Sequence, residues 1–232
     1  MIKNKKILIT GGSSGLGSEL ISELLNHNNK IYHLGRFIEK KKNLKRVICN
    51  LENIKNIKKK LKILVDTKKI DYVFLNAGIL GPIKKITSVK VKELEKVFKI
   101  NFFSNKEILD YLIINKIKTK LIVAISSGAA LKPKFGWYPY CSSKSAFKFL
   151  IESYALEETT RKFVNIAPGL IKTKMQDLIF KVDEKKINSV KKFKDLNKKN
   201  KIPSPREVAI NILNKINQLK VKNVDYIDLR DW

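Results

Sequence analysis

Cysteine and histidine are scarce, with two of each in 232 residues. Cys49 and Cys141 provide no disulfide framework and suit a reducing compartment, so a cytoplasmic protein is expected. His27 and His33 stand near neither a cysteine nor a carboxylate pair at ligand spacing, and no metal site is expected. Long apolar runs are missing too: none approaches the ~20 residues of a membrane span. After the basic residues 1–6 only Ile7, Leu8 and Ile9 precede a glycine cluster, so no secretory signal peptide is expected. Acidic side chains number 21 against 49 basic ones, a formal charge of +28. Such an excess raises nucleic acid or an anionic membrane surface as a partner. The lysines, however, are spread over most of the chain, without a helix-turn-helix, zinc or aromatic-interleaved basic motif. They come with abundant asparagine and isoleucine, as expected if A/T-rich coding has drifted at surface positions. Nucleic acid and membrane are therefore not the expected partners, although part of the charge can steer an anionic cofactor or substrate.

The length suits one α/β domain over residues 1–232 with a single core. Short apolar runs at 5–10, 31–34, 46–50, 71–75, 121–125, 163–167 and 226–229 read as strands and alternate with helical patterns. Leu16, Leu20, Ile21, Leu24 and Leu25 make the first helical stripe. Residues 52–65 and 89–115 have helical period, and Ser204 with Pro205 opens a helix to 219. This alternation predicts a Rossmann-like doubly wound parallel sheet of about seven strands with helices on both faces. Residues 174–201 are lysine-rich with a weak apolar period, and read as one or two loosely attached helices forming a substrate lid.

Most strand ends carry small or polar residues. The first runs into Gly11-Gly12-Ser13-Ser14-Gly15-Leu16-Gly17 and then a helix, an order that places backbone N–H groups and a helix N-terminus where a pyrophosphate can sit. The spacing is not G-x-G-x-x-G. The second closes on Gly35-Arg36 with no acid at its tip, and an arginine there suits a ribose 2′-phosphate. NADP(H) is therefore expected over NAD(H). Asn50 and Leu51 end the third strand, where an adenine edge can be held, and Asn76-Ala77-Gly78 ends the fourth. Asn101, polar among Val97, Phe98, Ile100, Phe102 and Phe103, is either structural glue or part of a proton path. The fifth strand delivers Ser126-Ser127 to the edge where ligands bind. Thirteen residues on, Tyr140 and Lys144 are four apart and share one helix face. A free phenol with a pKa of roughly 10 exchanges protons poorly near neutrality. A neighbouring ammonium is expected to lower that value.

In these motifs, together with Pro168-Gly169 and Thr173, the chain resembles the short-chain dehydrogenase/reductases from end to end. The resemblance implies that Tyr140 is the general acid/base and that Lys144 tunes it and holds the nicotinamide ribose. It also implies that Ser127 bonds the substrate carbonyl and that Asn101 supports the proton relay. Cofactor contacts are implied for Gly11, Ser13, Ser14, Leu16, Arg36, Asn50, Leu51, Asn76, Ala77, Gly78, Tyr140, Lys144, Ile171 and Thr173, and a homodimer or homotetramer is implied as well. Asn50 stands where the family often has Asp, Leu75 where it often has Asn, and position 14 lacks a basic residue. Residues 137–144, 167–176 and 226–230 look most like sepiapterin and benzil (diketone) reductases. The expected activity is NADPH-dependent reduction of a small ketone or diketone. Two alternatives stay open: an enzyme of the same fold acting on a nucleotide-linked or surface sugar, and a cofactor-binding protein with a basic nucleic-acid-binding surface.

Overall fold

The computed structural model describes residues 2–185, 187–198, 202–219 and 224–231. The elements follow in the order β1 (Lys6–Thr10), α1 (Gly15–Leu25), β2 (Lys30–Gly35), β3 (Leu44–Ile48), α2 (Ile57–Leu64), β4 (Tyr72–Leu75), α3 (Val91–Phe98), α4 (Ser104–Ile114), β5 (Leu121–Ile125), α5 (Tyr138–Glu157), β6 (Lys162–Ala167), α6 (Lys174–Phe180), α7 (Lys191–Lys198), α8 (Pro205–Gln218) and β7 (Val224–Asp228). Strands covered on both faces must be apolar throughout, and every residue of β4 and β5 is buried. The sheet is parallel in the order β3-β2-β1-β4-β5-β6-β7. Alternate side chains serve opposite layers. Ile7, Ile9, Val123 and Val164 pack under α1 and α8, whereas Leu8, Val73, Ile122 and Ala124 pack under α2, α4 and α5. Each fully buried side chain of this size contributes about 1.5–3 kcal/mol. Strand order reverses between β1 and β4, which opens a crevice at their carboxyl ends.

Three local readings need correction. The helix expected over 89–115 is broken into α3 and α4 by a π-helical turn, Lys99–Phe103, because the Asn101 side chain is drawn inward to the backbone of Ile79. The helix expected from 52 opens as a 3₁₀ turn, Ile54–Asn56. The described part of 174–201, expected to be loosely attached, is anchored at four points: Ile179, Ile187, Val190 and Phe193 are buried in one cluster with Trp137 and Tyr140. Lys186 and residues 199–201 of that stretch lie outside the described residues. At α8 the expected cap is present, with Ser204 Oγ accepting from the Glu207 amide at 3.3 Å and the Ser204 amide donating to Glu207 at 2.7 Å. Among the described residues no helix is long and apolar enough to cross a membrane.

His33 acquires a role that its position in the sequence does not announce. On β2 it lies beside Ile9 of β1, is 1% exposed, and accepts a hydrogen bond at Nε2 from the Gly12 amide at 3.0 Å. Burial, helped by the Arg46 cation, pushes its pKa down to about 4. Between about 6.5, the unfolded value, and about 4 the unfolded chain binds the extra proton. Stability tied to neutral His33 is therefore complete above pH 6.5 and falls on acidification by up to about 1.4 kcal/mol per pH unit. Urea unfolding at pH 7 and pH 5 is expected to show a smaller acid loss for His33→Gln than for the wild type. Equal losses would remove His33 from the account.

Candidate active site

The turn after β1 is held by β4. Thr10 Oγ1 accepts from the amides of Asn76 and Ala77, both at 3.1 Å. Asn76 Nδ2 donates to the carbonyls of Thr10 at 3.0 Å and Gly11 at 2.9 Å. The glycines are obligatory where backbones meet: a Cβ on Gly17 would lie 2.1 Å from the Gly11 oxygen, and one on Gly11 2.7 Å from Ala77 Cα. α1 then begins at Gly15 with no side-chain cap from Ser14 and no acid in its first turn. Its amides and the positive end of its dipole thus face the crevice without an anionic side chain. A Cβ on Gly15 or Gly78 would meet only side-chain atoms, of Thr173 at 3.2 Å and of Asn101 and Lys144 at 3.3 and 3.6 Å. Backbone bare of side chains beside an uncapped helix start fits a pyrophosphate.

Across the crevice, α5 brings the expected phenol and amine inward. Tyr140 is 9% exposed and Lys144 4%. Lys144 Nζ donates to the Ile125 carbonyl at 2.7 Å and lies 5.9 Å from the Tyr140 ring centroid. Ser127, after β5, caps the 3₁₀ turn Gly128–Ala130 through Oγ at 3.1 Å from the Ala129 amide. Asn101 accepts from the Ile79 amide at 2.8 Å and donates to the Ile79 carbonyl at 2.9 Å and to Ser143 Oγ at 3.0 Å. Ser143 Oγ in turn donates to the Tyr140 carbonyl at 2.9 Å. The four expected residues thus occupy one end of β5 and α5 and the π turn beside them.

The expected lowering of the phenol does not occur in the protein alone. Burial pushes Tyr140 up to about 12, against which interaction with the Ser127 hydroxyl pulls the other way. Burial likewise pushes Lys144 down to about 8. Desolvation is the main cause of both shifts.

The carboxyl ends of β2 and β3, where adenosine is expected, are less enclosed. Arg36 is exposed just past β2, next to Phe37, which is 61% exposed and stacked under the Arg46 guanidinium at 4.7 Å. Asn50 is exposed and accepts from the Glu52 amide at 3.0 Å, whereas Leu51 is buried. The Leu16 side chain is in the core, Ile171 packs on it, Ser13 is half-buried and Ser14 exposed.

The family profile described as short chain dehydrogenase matches residues 5–184. The chain belongs to the short-chain dehydrogenases. It is therefore an oxidoreductase of a family that binds NAD(P)(H). This short-chain dehydrogenase is 33% identical over 218 residues to an uncharacterized oxidoreductase of Schizosaccharomyces pombe, covering 88% of this chain and 87% of that protein. It is 27% identical over 221 residues to the (S)-benzoin-forming benzil reductase of Bacillus subtilis, covering 89% and 90%. Among solved structures it superposes on the KRED1-Pglu enzyme with a TM-score of 0.86 at 26% identity, covering 96% of this chain and all of that one.

Four contacts of this short-chain dehydrogenase were not legible in the sequence. The Tyr226 hydroxyl donates to the Ser127 carbonyl at 3.0 Å. Trp137 lies edge-on to Tyr140 at 6.3 Å and stacks on Phe193 at 5.1 Å. Its indole N–H donates to Ser189 Oγ at 3.1 Å. Sequence signals existed only as a tyrosine in the last strand and a tryptophan before the catalytic-looking pair.

Replacing Gly17 by alanine must shift the turn, since no real Cβ sits 2.1 Å from a carbonyl oxygen. Gly17→Ala is expected to lower stability by about 1–3 kcal/mol and to weaken dinucleotide binding at least about tenfold. Thermal unfolding and fluorescence titration check this, and wild-type values in both would refute the close approach.

Proposed function

We propose that this oxidoreductase uses NADPH to reduce a small ketone or diketone, with Tyr140 as general acid. The observation that carries the reading is the convergence of Ser127, Tyr140 and Lys144 at the carboxyl edge of β5, next to Gly78. A bound nicotinamide supplies the hydride. Burial keeps the phenol of Tyr140 protonated at neutral pH, the form a reduction needs for giving a proton to the carbonyl oxygen. Ser127 donates a hydrogen bond to the same oxygen, and loss of one such donor costs about 2.7–4 kcal/mol in other enzymes. Lys144, in its ammonium form, stabilises the phenolate left behind and binds the ribose. Asn101 supports proton movement by holding Ile79 and, through Ser143, the turn that carries Tyr140. Gly11, Ser13, Ser14, Leu16, Asn76, Ala77 and Gly78 would hold the dinucleotide at the turn, Asn50 and Leu51 its adenine, and Ile171 and Thr173 its nicotinamide end. Arg36 would take the 2′-phosphate, which favours NADPH over NADH.

Leu80, Trp137, Ile179, Val190 and Phe193 pack in one cluster with Tyr140, so the described part of 174–198 would give an approaching substrate an apolar wall. That lining suits a diketone of the kind named for the Bacillus relative better than a sugar. A second copy of the chain would pair along α5 and the π turn, where a groove of about 460 Å³ is lined by Phe102, Ser145, Ala146, Phe149, Leu150 and Ser153. Phe149 is 71% exposed, and the nearby charges are matched within the chain, Lys106 to Asp110 and Lys148 to Glu152. Phe149→Asp is expected to sediment as a monomer, and an unchanged oligomer would place the interface elsewhere.

The central test is Tyr140→Phe assayed for NADPH consumption on a panel of ketones, diketones and nucleotide sugars. Turnover is expected to fall by at least about a thousandfold while NADPH still binds. Activity near that of the wild type would overturn the assignment. In the same assay, Arg36→Ala is expected to narrow the preference for NADPH over NADH.

A further inference from the structure

The buried face of α6 consists of two residues, Gln176 and Ile179, three apart and therefore on one side of the helix. Ile179 packs in the cluster that holds Tyr140, Trp137, Cys141, Leu80 and Ala129. Gln176 thus shares the side of α6 turned toward the cluster around Tyr140. It is 4% exposed, and neither its carboxamide oxygen nor its nitrogen has a hydrogen-bond partner among the described residues. Its backbone amide is already satisfied by the Thr173 carbonyl at 2.8 Å, so the start of the helix makes no demand on the side chain. A carboxamide carries two donor hydrogens and two acceptor lone pairs. Leaving them unmatched in a buried place is costly, and an apolar side chain of the same length would serve the fold better. Beside a cluster made otherwise of Leu80, Trp137, Ile179, Val190 and Phe193, one polar group of this kind would set the orientation of a ligand admitted next to Tyr140.

We propose that Gln176 selects dicarbonyl substrates: with one carbonyl oxygen at Ser127 and Tyr140, its amide nitrogen donates a hydrogen bond to the second carbonyl oxygen. The inference rests on the carbonyl-reductase reading and adds the substrate class, an apolar 1,2-diketone. Hydride from NADPH adds to one carbonyl carbon, the Tyr140 proton goes to the oxygen of that carbonyl, and solvent reprotonates Tyr140. The second carbonyl is retained, so the product is an α-hydroxy ketone. A monoketone of the same shape leaves the amide unpaired, the situation in which polar sites discriminate most strongly.

Benzil and deoxybenzoin make the matched pair, since they share a skeleton and differ by a carbonyl against a methylene. With NADPH, Gln176→Met is expected to lower kcat/KM for benzil about tenfold and to leave deoxybenzoin within about twofold. NADPH affinity should be unchanged and Tm equal or higher, because the variant removes unmatched polar atoms. Gln176→Leu should repeat the pattern if the methionine variant does not fold. Equal losses on both ketones would overturn the proposal, as would an unchanged benzil rate. Weakened NADPH binding would also overturn it, giving the carboxamide to the cofactor. A wild type that binds NADPH but reduces neither ketone would instead sink the underlying reductase reading, and this inference with it.

Discussion

The amine of Lys144 is taken out of water on a single protein hydrogen bond, to the Ile125 carbonyl at 2.7 Å, and the rest of the site is arranged around that desolvated group. Burial of an ammonium is unfavourable unless charge or polar groups gather round it. Here the end of β5, the bare backbone of Gly78, the Asn101 carboxamide and the Tyr140 ring do so. The same burial that brings the amine down to about 8 takes the phenol up to about 12. At neutral pH the phenol is therefore held neutral while the amine, although weakened, stays mostly an ammonium, and an anionic dinucleotide would reinforce that cation.

The strand-order reversal gives this arrangement its location, but polar side chains give it its precision. Asn76 uses one amide group to bind two successive carbonyls of the glycine turn, fixing β1 to β4 where the sheet would otherwise splay. Asn101 does the comparable task on the other side, matching both polar groups of Ile79 and reaching Ser143 on α5. The π turn is the backbone's accommodation of that demand: one extra residue rotates the asparagine inward without ending the helix.

Much of this was legible in the letters. Continuous runs such as Leu121 to Ile125 admit only a strand buried on both faces, and their alternation with helical stripes dictates the layers. Tyr140 and Lys144 could be paired from spacing because a helix fixes which residues share a face. What escaped depended on depth or on tertiary neighbours. The protonation of Tyr140 follows from how far it is buried, which spacing does not encode. The π turn differs from an α-helix by one residue, too little to disturb the period of 89–115. The hold of His33 on Gly12 requires the register that sets β2 beside β1. The close packing of Ile187, Val190 and Phe193 joins residues whose weak period conceals a shared destination around Trp137.

Trp137 opens α5 three residues before Tyr140, so the indole and the phenol are carried by one rigid rod. Its stack on Phe193 and its bond to Ser189 tie that rod to a segment more than fifty residues away. The chain has only one other tryptophan, Trp232, at its far end. With Trp232 replaced by phenylalanine, ultraviolet emission from the Trp137 indole would report on its contacts with Tyr140 and Phe193 and change when either one moves.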